Sequence, residues 1–301
     1  MNRHDASPDT PTYPIASVII PAFNEESVIG RTLEWILAEA APGEFDILVV
    51  CNGCHDRTAE VARGFGDLVR VAEIARPSKT DALNLGGELA HTAPRVFVDA
   101  DVRLSTGSLR RLVHELIRSG KCLAAGRMNI DQTNCDTWVR AFHRVWQLQP
   151  YFDRGKVGGV FALSREGCLR IGGFPSITAD DEFVRRSFSS TDCVFVEGCS
   201  FSVDAPRTLR SLVRVKGRVR RGNIELNSKN KNRGRSRGRS RALFFQRILR
   251  RPTLWPSVPT YLGIVIAAEI RARRAIARKE HDWSQDTTTR RAVRAKPGIG
   301  A

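Results

Sequence analysis

From residue 15 onward the chain alternates short apolar runs with segments whose apolar residues recur every three to four positions. The runs ASVIIPA, FDILVVC, LVRVAEI and RVFVDA read as buried strands. Between the first two, EESVIGRTLEWILAEA places Val28, Ile29, Leu33, Ile36 and Leu37 on one helical face. After the fourth, Ser105 is placed to cap a helix in which Leu109, Leu112, Val113, Leu116 and Ile117 repeat at helical spacing. Strands alternating with helices in this way predict an α/β domain with a mostly parallel sheet flanked by helices.

The pattern is more mixed from about 122 to 205. It predicts a strand at CLAAGRMNI, a helix around 136–149, a strand at GGVFAL, a short helix, the loop IGGF, and a helix opening near Asp180. The last sixty residues read as a separate, basic and partly helical C-terminal appendage. There PTYLGIVIAAEIRARRAIARK joins an apolar stretch to an arginine-rich, alanine-rich helix. The apolar stretch ends at Glu269, well short of the roughly twenty residues a membrane span requires. Two readings fit it: a helix lying in a membrane interface, and a C-terminal helix packed on the domain. The expected layout is a disordered tail over 1–14, a main domain over 15–205 and its extension over 206–226. A low-complexity basic loop over 227–241 and a helical, membrane-associated appendage over 242–301 complete it.

Composition narrows the function. Across 301 residues, 42% hydrophobic content supports one large domain or two modest ones. The opening MNRHDASPDTPTYP is polar and proline-rich, with none of the marks of a signal peptide. Seven cysteines, an odd number, then predict reduced thiols and a cytoplasmic protein. The net charge of +16 points to polyanionic partners. Much of it is local, since Glu225 is the single acid between Arg207 and Arg251. A solvated basic loop, a site for an anionic membrane surface and a nucleic-acid site all fit that region.

Residues 51–55, CNGCH, match a haem-attachment string, a zinc half-site and a redox pair at once. Haem needs a second axial ligand, and Met1 and Met128 are the only methionines. Zinc needs a second Cys/His pair, which the remaining cysteines do not space. A redox pair usually opens a helix, whereas Cys51 ends an apolar run. No haem is expected, and the thiols read as incidental.

Ligands of open α/β sheets bind at the carboxyl ends of the strands. Those ends read PAFNEE (21–26), CNGCHD (51–56) and DAD (99–101), polar or acidic turns placed to converge on one edge. In an extended segment Asp99 and Asp101 turn to the same side, where their repulsion favours a hard divalent cation. Asp180, Asp181 and Glu182 open a helix, where acids are favourable in any case.

These stretches together resemble the family 2 glycosyltransferases, inverting enzymes of GT-A fold that use nucleotide-sugar donors. The resemblance covers roughly 15–205 and rests on five motifs in order. They are VIIPAFNEE, CNGCHDRT, Lys79 to Asn84, the Asp-x-Asp and IGGFPSITADDEFV. It implies a Rossmann-like sheet and a donor site using Pro21, Ala22, Asn24, Glu25, Asn52, Lys79, Asp99 and Asp101. It further implies Mn²⁺ or Mg²⁺ on Asp101 and Asp99, an acceptor loop at Gly158 and Gly159, and Asp181 or Asp180 as base. The family more often has Asp at the position of Asn52, which leaves the base of the donor open. The Gln-x-x-Arg-Trp of processive members is missing. Arg220-Arg221-Gly222 lies in a comparable region and is a candidate for closing over the diphosphate. The expectation is transfer of a single sugar to a glycan or lipid-linked acceptor, at the inner face of the cell membrane. The rival readings are a nucleotidyltransferase, an inactive nucleotide-sugar-binding fold and a basic nucleic-acid-binding protein.

Overall fold

The computed structural model describes residues 14–154, 157–229, 237–278 and 288–290. In chain order it begins with β1 (Ala16–Ala22), α1 (Ile29–Leu37), β2 (Phe45–Asn52), α2 (Thr58–Arg63), β3 (Arg70–Ile74) and α3 (Lys79–Leu89). Next come β4 (Arg95–Val98), β5 (Arg103–Leu104), α4 (Thr106–Ser119), β6 (Leu123–Asp131), α5 (Thr137–Trp146) and β7 (Val160–Leu163). The described elements end with α6 (Arg165–Ile171), α7 (Asp180–Ser187), β8 (Cys193–Asp204), α8 (Leu209–Lys229), α9 (Arg237–Leu249) and α10 (Val258–Ala277). The chain forms two compact units, one of residues 1–126, 159–174 and 187–201, the other of 127–158, 175–186 and 202–301.

The first unit is built on a sheet of order β3-β2-β1-β4-β7-β6-β8-β5. β3, β2, β1 and β4 run parallel, and β7 lies antiparallel between β4 and β6. Every residue of β1 and β2 is buried, as uninterrupted apolar runs require of strands covered on both faces. β3 departs from its expected burial because it is an edge strand, with Glu73 exposed and its other four residues half-buried. On α1, Ile29, Leu33 and Ile36 are buried as the spacing predicts. On α4, Leu109, Leu112, Val113 and Leu116 are buried, while Ile117, at the margin of the stripe, is 59% exposed. Ser105 does cap α4, its Oγ accepting from the Ser108 N–H at 3.2 Å. α3 lies against β1 at Gly86, where an added methyl would overlap Ile19.

One carboxylate interrupts β2. Asp46 is 7% exposed and accepts from Ser17 Oγ at 2.8 Å, Arg70 at 2.7 Å and the His91 N–H at 3.0 Å. It thereby ties β1, β2, β3 and the segment after α3 together. Burial pushes its pKa up, but the bonds from His91, Arg70 and Ser17 outweigh that and hold it below the ordinary value.

The second unit holds a helical core. Val139, Phe142 and Val145 of α5 meet Leu212 of α8, Phe244 and Ile248 of α9, and Tyr261 and Ile264 of α10. Phe142 stacks on Tyr261 at 5.3 Å, and Lys216 Nζ sits 3.3 Å from the Trp146 ring centroid. This corrects two boundaries. Residues 242–278 are no separate appendage, because α9 and α10 share the core of α5. Residues 127–158 and 175–186 leave the main domain for the same unit. The basic loop expected over 227–241 is helical at both ends, where 227–229 finish α8 and 237–241 begin α9. Residues 230–236 and the tail over 1–13 lie outside the described residues.

Asp46→Ala should lower the unfolding free energy in urea by about 1–3 kcal/mol, the cost of leaving the buried Ser17 hydroxyl without its acceptor. A depressed pKa stabilises above the unfolded value of about 3.9. The gap between wild type and variant should therefore close as pH falls through the lower folded value.

Candidate functional site

The carboxyl ends of β1 and β2 are laced together. Asn52 Nδ2 donates to the Ala22 carbonyl at 2.8 Å, and Cys54 Sγ donates to the same oxygen at 3.4 Å. The Asn24 N–H donates to Cys54 Sγ at 3.4 Å, and Asn24 Oδ1 accepts from the His55 N–H at 2.8 Å. The Glu25 N–H donates to Thr58 Oγ1 at 2.7 Å, and the Glu26 N–H to Asp56 Oδ2 at 3.1 Å. Asp56 also accepts from the Thr58 N–H at 3.0 Å, which starts α2. Gly53 makes the bend between them with φ of +63°. A Cβ there would come within 2.8 Å of the Pro77 nitrogen.

The CNGCHDRT stretch is thus a turn whose side chains hold the neighbouring turn. Cys54 thiol acidity is raised by the hydrogen bond from Cys51, with a further bond from the Asn24 N–H, so its pKa falls below the ordinary value. The Cys51 pKa moves up for the converse reason.

Past the end of β4 the chain is not extended as expected but turns, the Val102 N–H donating to the Asp99 carbonyl at 3.2 Å, and this turn leaves Asp99 and Asp101 half-buried on either side of buried Ala100. The Ala100 carbonyl accepts from Thr32 Oγ1 at 2.7 Å. The Asp99 N–H donates to the Gly159 carbonyl at 2.8 Å. Lys79, the first residue of α3, reaches Asp99 Oδ1 at 2.7 Å. Ser78 caps that helix by accepting from the Asp81 N–H at 3.2 Å.

The predicted donor residues fall into two groups. Lys79, Asp99, Asp101 and Asn24 are partly exposed at strand or helix ends. Pro21, Ala22, Glu25 and Asn52 are buried, and Asn52 is only 2% exposed. Asn52 therefore braces β1 against β2 in this structure, and its buried Oδ1 has no hydrogen-bond partner. Gly159 backs the Asp99 turn, and Gly158 is buried beside it in sequence.

Asn84, the last residue of the Lys79–Asn84 motif, has a role that the sequence alone does not assign. Its carboxamide accepts from the Phe174 N–H at 2.7 Å and donates to the Phe174 carbonyl at 2.9 Å. That pair pins the Gly-Gly-Phe loop to α3, with Phe174 edge-on to Phe97 at 5.3 Å.

In the second unit, Asp180 is 6% exposed and Asp181 is half-buried, with Oδ1 accepting from the Glu182 N–H at 2.8 Å. Burial raises the Glu182 pKa, but Arg185 and Arg186, each at 2.6 Å, overcome this and hold it low. Arg220 pairs with Glu269 and Arg221 with Glu225 at 3.6 Å. Gly222 packs on Thr178 and Ala179, just before α7. The basic pair expected over a diphosphate is engaged with these acids of its own unit.

Among the described residues no three His, Cys, Asp or Glu side chains form a metal cage. Two carboxylates do fit a cation of the Mg²⁺ or Mn²⁺ kind, which completes its shell with phosphate oxygens and water.

Together the parallel β3-β2-β1-β4 half-sheet, its antiparallel continuation and the acidic turn after β4 define a GT-A fold. Solved structures agree. A mannosyltransferase from Pyrobaculum calidifontis, determined with GDP-Man and Mn²⁺, matches with a TM-score of 0.59 at 20% identity, over 91% of this chain and 82% of that one. The glucosyl-3-phosphoglycerate synthase of Mycobacterium tuberculosis matches with a TM-score of 0.53 at 22% identity, over 73% and 82%. Residues 17–174 match the family model of glycosyl transferase family 2, and the chain belongs to that family.

Among curated relatives, glycosyltransferase AglE of Haloferax volcanii is 30% identical over 145 residues, 46% of this chain and 48% of that protein. A 4,4'-diaponeurosporenoate glycosyltransferase of Staphylococcus aureus is 40% identical over 90 residues, 29% of this chain and 24% of that protein. The matched stretches thus span less than half the length of either relative.

The thiol geometry gives a direct check. Iodoacetamide at pH 7 should alkylate half-exposed Cys54 about tenfold or more ahead of buried Cys135 and Cys199, whose thiols burial pushes up to about 11 and about 12. Peptide mapping by mass spectrometry reads the order. Labelling of Cys54 no faster than those two would contradict its greater exposure and lowered pKa.

Proposed function

We propose that this chain transfers a single sugar from a nucleotide-sugar donor to an acceptor hydroxyl, with inversion and with dependence on Mn²⁺ or Mg²⁺. The observation that carries the reading is the Asp99-Ala100-Asp101 turn, with Lys79 on Asp99, in a family 2 chain. The neighbours support it, one having been solved with GDP-Man and Mn²⁺ and another synthase with UDP and Mn²⁺.

Asp101 and Asp99 would hold the cation, whose charge offsets the negative charge that builds on the departing diphosphate. Lys79 adds a positive charge on the same side and keeps Asp99 oriented before donor arrives. The laced turns after β1 and β2 form the nucleoside side of the site, presenting backbone and the half-exposed Asn24. Asp181 takes the proton of the acceptor hydroxyl as that oxygen attacks the anomeric carbon. Its family position and its partial exposure favour it over Asp180, which is almost fully buried. One displacement breaks the bond to phosphate and inverts the carbon. The acceptor is a cell-surface glycan or a glycolipid, and the place of action is the cytoplasmic face of a membrane. The basic, partly apolar second unit supports that placement.

Thermal shift against UDP-, GDP-, CDP- and dTDP-sugars, with Mn²⁺, Mg²⁺ or EDTA, tests the donor site. One nucleotide class should stabilise the protein, by about 2.7 kcal/mol at a hundredfold excess over Kd, and EDTA or Asp101→Ala should remove the effect. A folded protein that shifts with no donor would overturn the reading. Asp181→Asn should keep the shift while transfer falls by about 10²–10⁴-fold. Turnover unchanged in that variant would move the base elsewhere.

A further inference from the structure

We infer that the outer face of α10, with the turn before it, docks in the plane of an anionic lipid bilayer. This deepens the membrane-side placement proposed above and rests on it.

α10 has two apolar faces where a solvated helix has one. Tyr261, Ile264, Ala268 and Ala272 face the helical core of the second unit. Leu262, Ile266 and Ile270, four residues apart on the opposite side, are 46%, 59% and 45% exposed. The 3-10 turn Pro252–Ser257 extends the strip with Trp255, which is 51% exposed while its indole N–H donates to the Ile248 carbonyl at 3.2 Å. An indole fixed at its polar edge with its ring outward suits the boundary between headgroups and acyl chains.

Charge selects the occupant. Residues 237–278 carry ten arginines and one acid, Glu269. That acid is already held by Arg220 and Arg273. Arg250, Arg251, Arg271, Arg274 and Arg278 are exposed along the same stretch. An apolar strip bordered by exposed arginines complements a surface of anionic headgroups over hydrocarbon. A second copy of the chain would bring a second set of arginines to the same seam. Counted from Pro252, the segment Pro252–Ala277 is long and apolar enough to span a bilayer by length and composition, which corrects the sequence reading of its apolar stretch as too short. Its inner face is committed to the protein core, however, and its last turns carry Arg271, Arg273 and Arg274. An in-plane position satisfies both facts.

The full chain should be sedimented with vesicles of phosphatidylcholine alone and with vesicles containing about a third phosphatidylglycerol. The expected result is binding at least about tenfold tighter to the anionic vesicles, weakened by salt. Ile266→Asp with Ile270→Asp should lower that binding about tenfold or more while leaving the donor-induced thermal shift unchanged. That second readout separates failure of this proposal from failure of the donor site. As a check that does not charge the helix, acyl chains brominated near the headgroup should quench tryptophan emission in the wild type and less in Trp255→Phe. Equal vesicle binding by wild type and double variant would leave only diffuse charge attraction and overturn the apolar face. A dimer that the double variant dissociates, with no vesicle binding, would give the face to a second copy and overturn the proposal too.

Discussion

The strands β1 and β2 are buried along their whole length, and that burial dictates where polar chemistry can stand. A side chain within such a strand meets buried neighbours, so a carboxylate there must be fully bonded. Asp46 is, with three donors from three neighbouring segments. Every other charged group is displaced to the strand ends, where the backbone leaves the sheet and needs partners for its own N–H and C=O groups. The turns after β1 and β2 supply those partners to each other. Their rigidity follows from hydrogen-bond satisfaction, without any contact to a ligand.

The second unit solves a different problem. Its helices carry far more positive charge than their acids can balance, and the acids are placed where they serve two arginines at once. Glu182 takes Arg185 and Arg186, and Glu269 takes Arg220 and Arg273. Lys216 lies over Trp146, whose aromatic face attracts its charge. Charge that cannot be matched inside is left on the outside.

How much of this was legible in the chain depends on how local the cause is. Strands and helix faces were readable because their periods are set by nearest neighbours, and Ser105 because a cap acts three residues away. The exposure of β3 was not, since being an edge strand is a property of the whole sheet. Nor was the fate of residues 242–278, because α9 and α10 take their partners from α5, more than ninety positions earlier. The five-motif resemblance pointed to the strand ends, and there Lys79 meets Asp99. The role of Asn52 was hidden for the opposite reason. Its composition suggested recognition, whereas its bond to Ala22, thirty residues back, makes it a brace.

The closeness of α3 to β1 at Gly86 has a mechanical reading. That helix carries Lys79 at its first residue and Asn84 in its middle, so it bears both the cation that meets Asp99 and the clamp on the Gly-Gly-Phe loop. Gly86 works as its fulcrum. A single methyl there would overlap the Ile19 side chain, so helix or strand must give way on the element that bears both working ends. The fine spacing of the acidic turn is thus governed from a point that touches no charge, by a residue whose contribution is the absence of a side chain.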